Sequence, residues 1–146
     1  MCGSENIADV RPRHGALAAL SPPRQSPSRL SADLTFHTPG HPSSREATHA
    51  RLTPVLSQDI ARLRRLRIVI HDCGDLGRPA AECGFFRALE MPDEASGGFV
   101  ELLLREPLSL AVGGRGIIGR RVSLYDGRSG EHQVVLAEGI VGFNCA

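Results

Sequence analysis

The stretch Gly116–Phe143, GIIGRRVSLYDGRSGEHQVVLAEGIVGF, decides how this chain is read. Ile118, Val122 and Leu124 alternate with Gly119, Arg121, Ser123 and Tyr125. Asp126-Gly127 and Ser129-Gly130 interrupt the pattern. Val134, Leu136 and Ile140 then alternate with Val135, Ala137, Val141 and Phe143. Alternation of period two around Asp-Gly and Ser-Gly is the signature of a β-hairpin. Period two also sends Arg120 and Arg121 to opposite faces, so one of them points at whatever the sheet covers. A buried arginine needs an anion or a tightly hydrogen-bonded partner. The expectation is an arginine held inward over a hollow sized for a small dianion.

The 146 residues suffice for one domain with a core. A net charge of +1 lacks the basic excess of a nucleic-acid binder, and the low aromatic content leaves few bases-stacking platforms. All 17 basic residues are arginine. Without lysine, Schiff-base catalysis, P-loop phosphate binding and the protein-kinase lysine are excluded. The glycines of Gly113-Gly114-Arg115-Gly116 do not follow the dinucleotide pattern and read as a turn. Cys2, Cys73, Cys83 and Cys145 form no CxxC pair, so no zinc site is expected. Met1 to Leu20 lacks a secretory pattern, and no run reaches the roughly 18–20 apolar residues of a membrane span. The expectation is a cytoplasmic protein with reduced thiols.

Residues 1–52 hold six of the ten prolines and repeat Ser in SPPRQSPSRLS. Large aliphatics are sparse there, so the segment reads as a disordered leader, with Ala16–Leu20 a weak helical fragment at most. Phe36-His37-Thr38-Pro39-Gly40-His41 resembles the HTPGH signature of the ornithine/lysine/arginine decarboxylases. Those enzymes require a pyridoxal-phosphate lysine, and this chain has none. A Pro-Gly turn flanked by histidines is the plainer reading.

Residues 53–146 read as the ordered domain. Ser57 is a candidate helix cap with Asp59 in the first turn. Ile60, Leu63, Leu66 and Ile70 fall on one helical stripe, with Arg62, Arg64, Arg65 and Arg67 on a solvated face. Asp75 opens a second predicted helix from Leu76 to about Ala88. Phe99–Leu104 and Leu108–Val112 read as two strands split near Pro107, or as one long strand with a bulge there.

Several of these pieces, in this order, resemble the N-terminal half of the chorismate lyase-like family. Leu56-Ser57-Gln58-Asp59-Ile60 runs into Leu66–Ile70, and Asp72-Cys73-Gly74-Asp75-Leu76 matches the family's turn between helices. Arg121-Val122-Ser123-Leu124-Tyr125-Asp126-Gly127 is similar to its R-x-x-x-L-x-G strand. Val135–Val141 is similar to its return strand, with Gly139 where a serine is common. The resemblance implies an α+β fold, an antiparallel sheet with flanking helices around an enclosed cavity, here incomplete and preceded by the disordered segment.

The implied activity is that of a carbon–oxygen lyase, converting chorismate to 4-hydroxybenzoate and pyruvate without metal or cofactor. Two carboxylates in a dry pocket call for arginine forks. The family arginine falls on Arg121, with Arg120 as the alternative register, and Glu138 matches a third substrate-site position or pairs with an arginine. The family's acidic residue lies in a second half with no counterpart here, so the catalytic acid is unassigned. The chain is then a fragment, a dimer that completes its sheet, or a degenerate and inactive relative. The implied partner is a small anionic metabolite of aromatic biosynthesis, without nucleic acid or membrane. The other reading of the same fold is a non-catalytic effector-sensing domain for small anions. A third is an α+β unit without a site, in which Arg121 pairs with Glu101 or Glu138.

Overall fold

A computed structural model describes residues 14–92, 97–126 and 134–144. The hairpin forms as expected: β7 (Arg121–Asp126) pairs with β8 (Val135–Phe143), Ser123 opposite Glu138 and Leu124 opposite Ala137. Asp126 N–H donates to the Val134 carbonyl at 3.2 Å. The turn at Gly127, Ser129 and Gly130 lies outside the described residues.

The rest of the fold departs from the α+β expectation. Strands account for 47% of the described chain and helix for 9%, which makes it an antiparallel β protein. Eight strands form one sheet, adding β1 (Ala16–Leu20), β2 (Ala32–His37), β3 (Glu46–Pro54), β4 (Leu66–Ile70), β5 (Arg87–Leu89) and β6 (Val100–Ser109). The strand order is β5-β4-β7-β8-β1-β2-β3-β6. The sheet curls until its two edges face each other, giving a nearly closed barrel. Across that seam Arg87 meets Glu106 at 3.6 Å and Arg105 meets Glu90 at 3.1 Å. Leu89, Leu102 and Leu104 line a cleft of about 280 Å³ between the edges.

The disordered-leader expectation fails from residue 14 onward. Ala16–Leu20 is neither helix nor coil; it is the strand between β2 and β8. In β2, Ala32, Leu34 and Phe36 alternate inward, and Ala50 and Leu52 do so in β3, each of them buried. This two-residue rhythm outweighs the proline-rich composition on either side, because each apolar residue gains a buried face only in extended form. Residues 1–13 lie outside the described part.

The first predicted helix shrinks to a 3-10 turn (Ser57–Asp59) and α1 (Ile60–Leu63), with no side-chain cap from Ser57. The chain then leaves the helix and enters β4. Leu66, Ile68 and Ile70 point into the core, while Val69 is buried in a smaller cluster on the outer face with Ala80 and Tyr125. β-Branched residues at 68–70 favour the strand. The second predicted helix is also absent: Ala80–Cys83 is a single 3-10 turn behind Pro79, and Arg87–Leu89 is β5. Of the two readings near Pro107, one irregular strand holds. β6 runs through Pro107, and its register on β3 shifts between Ala47 and His49.

Leu34, Phe36, Leu52, Ile68, Leu102 and Leu124 fill the barrel, closed off by Leu30, Leu63 and Ile117 from outside the strands. Eight strands enclose an interior that side chains can fill, so this is a packed core rather than a ligand chamber. No helix among the described residues is long and apolar enough to cross a membrane.

Candidate functional site

Inward packing of Val122 and Leu124 sends Arg121, Ser123 and Tyr125 to the outer face of β7. There the connection from Asp72 to Phe86 roofs them, so all three are buried although none faces the barrel interior. Arg121 is 3% exposed. Its Nη1 donates to the carbonyls of Asp75 at 3.0 Å and Arg78 at 2.7 Å, and approaches Cys83 Sγ at 3.5 Å. Its Nη2 donates to Glu138 Oε2. Only Nε lacks a partner. The guanidinium therefore stitches the roof to β8. The expected hollow beneath it is occupied by protein carbonyls.

Arg120 is also occupied. Nε donates to the Gly116 carbonyl at 2.8 Å, Nη1 to Asp72 at 2.9 Å and Nη2 to Gly114 at 2.7 Å. Its guanidinium lies 3.9 Å from the Phe86 ring centre. It straps the Gly113–Gly116 turn to the start of the roof. Of the three expected binding residues, Arg121 and Glu138 are thus paired with each other while Arg120 is bonded elsewhere, and hydrogen bonds within the chain use their polar ends.

Sequence reading missed two partners in this cluster. His71 Nδ1 donates to the Gly84 carbonyl at 2.7 Å, which leaves Nε2 to accept from the Ser123 hydroxyl at 2.9 Å. Gly84 takes φ of +73°, and a Cβ there would come within 2.7 Å of Asp72 Oδ2. Burial pushes the His71 imidazole below its ordinary value, partly offset by the Gly84 hydrogen bond. A neutral imidazole beside a hydroxyl is the pairing that activates a serine nucleophile. Ser123, however, is wholly buried, so this dyad is sealed from substrate. The available signal was a histidine ending the apolar run Ile68–Ile70 and a serine in mid-strand.

A second polar group sits on the outer face of β2, β3 and β6. His37 stands opposite His49, and Arg51 lies between Thr35 and Glu101. Arg51 Nε donates to Glu101 Oε2 at 2.7 Å, and the guanidinium covers the Phe99 ring at 4.0 Å. Glu101 Oε1 lies 3.4 Å from His37 Nε2. His37 Nδ1 is buried and has no hydrogen-bond partner. Burial lowers the His37 pKa; Glu101 opposes this, and Arg51 and His49 add to it.

The Thr38–Ser44 connection folds beside these residues as the histidine-flanked turn, Gly40 taking φ of +77°. Together with His37, Arg51, Leu110 and Gly15 it encloses an open cleft of about 270 Å³. His41 brings a second imidazole to its wall, while the Thr38 and Ser44 hydroxyls donate to the Glu46 carbonyl at 2.7 and 2.9 Å. Among the described residues, no group of three or more His, Cys, Asp or Glu is placed to hold a metal ion.

No protein-family model matches this chain, and no curated protein matches it.

Proposed function

We propose that this chain is a non-catalytic β-barrel that binds a small organic anion of the aromatic-carboxylate class, in the cytoplasm. The binding place is the cleft between Arg51 and the Thr38–Ser44 turn. The observation carrying this reading is His37. It is a buried imidazole lining an open cleft, with one ring nitrogen unpaired and an arginine beside it. Buried polar atoms without partners are uncommon and call for an explanation. An anion supplies one, because it favours the imidazolium and accepts a hydrogen bond from its second N–H. The cleft approaches the roughly 300 Å³ at which small-ligand sites begin.

The lyase activity implied by the sequence resemblance draws no support from the surroundings of Arg121. That guanidinium is committed to Glu138 and two carbonyls. Both ideas are tested by one panel of 4-hydroxybenzoate, chorismate and inorganic phosphate, followed by thermal shift and calorimetry. At a hundredfold excess over Kd a bound anion stabilises the fold by about 2.7 kcal/mol. The expected result is stabilisation by 4-hydroxybenzoate that is lost in His37→Ala and kept in Arg120→Ala. Affinity should rise as pH falls below 7, because anion and proton bind His37 cooperatively. No stabilisation by any of the three would refute the anion site. Release of 4-hydroxybenzoate from chorismate would refute the non-catalytic reading.

A further inference from the structure

Cys73 and Cys83 stand at the two ends of the roof over Arg121. Cys73 N–H donates to the Cys83 carbonyl at 3.1 Å, closing the intervening residues into a loop. The Cys83 thiol donates to the Asp75 carbonyl at 3.4 Å. A backbone hydrogen bond between the two residues brings their main chains into contact, and a disulfide spans Cα atoms roughly 4.4–6.8 Å apart. Cys73 is half-exposed and Cys83 is buried. The geometry points to a reversible oxidation site: Cys73 is the thiol that meets a peroxide, and Cys83 resolves it as an intramolecular disulfide.

The surroundings divide the roles in the same way. The neighbouring Cys83 thiol, with help from the Asp75 backbone, lowers the Cys73 thiol below its ordinary value. Burial raises Cys83, the neighbouring Cys73 thiol adds to this, and Arg121 opposes both. The Cys73 thiolate attacks one peroxide oxygen and breaks the O–O bond. The leaving hydroxide takes a proton and departs as water, and Cys73 becomes a sulfenic acid. Cys83 then loses its proton, with Arg121 Nη1 3.5 Å from its sulfur to steady the thiolate. Its sulfur attacks the Cys73 sulfur and expels the hydroxyl as a second water. Two thiols lose two electrons, and one peroxide becomes two waters. The product pins the roof onto the Arg121–Glu138 pair and the His71–Ser123 pair.

The full chain should be treated with stoichiometric hydrogen peroxide, alkylated and digested with trypsin. Residues 68–87 form one tryptic peptide holding both cysteines, because Arg78 precedes Pro79. The expected product is that peptide lighter by two hydrogens, restored by dithiothreitol. Its formation should raise Tm by roughly 5 °C. In Cys83→Ser a dimedone adduct should accumulate on Cys73. The inference is overturned if the wild-type peptide remains doubly alkylated, if Cys73 proceeds to sulfinic acid, or if it cross-links instead to Cys2 or Cys145. The wild-type digest decides the matter even where the variant does not fold.

Discussion

Removing the Arg121 guanidinium leaves Glu138, whose side chain is 11% exposed, without its cation. Stripping one partner from a buried ion pair costs about 3–5 kcal/mol, mostly for the stranded charge. Arg121→Met should therefore destabilise the protein by that amount in urea denaturation. The double variant Arg121→Met with Glu138→Leu should recover much of the loss. A single-variant cost below about 1 kcal/mol would place the pair in the class of exposed surface bridges. The histidines add a pH dependence. His71 titrates below its unfolded value near 6.5, so the unfolded chain takes up the proton first as pH falls. Stability from the neutral ring is complete above about pH 6.5 and is lost as pH drops toward the lower folded value. His37 works in the same direction. Asp72, Glu138 and Arg121 are the charged groups whose fields reach His71. Urea midpoints at pH 7.5 and 5.5 should differ in favour of 7.5, and His71→Asn should narrow the gap. Equal midpoints in the parent protein would contradict a buried neutral imidazole.

Among the elements, β8 passes close to the Ala19 backbone of β1 at Gly139. A Cβ there would lie 2.2 Å from the Ala19 carbonyl oxygen, so only glycine lets the two strands approach. Gly139→Val should cost about 1–3 kcal/mol by overpacking, measured by denaturation, while Gly142→Ala, with open space around it, should cost much less. The ribbon β7–β8 was legible because its alternation is unbroken on both arms. β4 was not, because Leu63, Leu66 and Ile70 satisfy a helical stripe while Leu66, Ile68 and Ile70 satisfy a strand. The roof was read as a helix because capping signals at Asp75 are local, whereas the Arg121 bonds that hold it extended come from 43 and 46 residues away in sequence. Arg121, Arg120 and Glu138 were singled out as substrate-binding residues, with Arg120 as the alternative register. Glu138 was one of two acids named as a local partner for Arg121, but the carbonyl partners were not visible, since backbone carbonyls carry no sequence signature. His71 and Ser123 were missed for a related reason: they are 52 residues apart and meet only through strand register.

For the whole molecule, the proline-rich start is the decisive part. Short strands separated by prolines have the composition of a leader, yet Leu34, Phe36 and Leu52 supply some of the largest fully buried side chains. β1 is a central strand despite its alanines, because small residues allow close neighbours on both sides. The proposed anion cleft depends on the same region, being built from Gly15, His37 to Ser44 and Arg51. If β1 to β3 were unfolded, the barrel would lose its continuity and the cleft its floor. Native-state hydrogen exchange read at Ala18, Leu34 and Leu52 tests this most directly. Protection close to that of Leu124 in β7 is the expected result. Exchange of those amides at random-coil rates, with Leu124 still protected, would contradict the account.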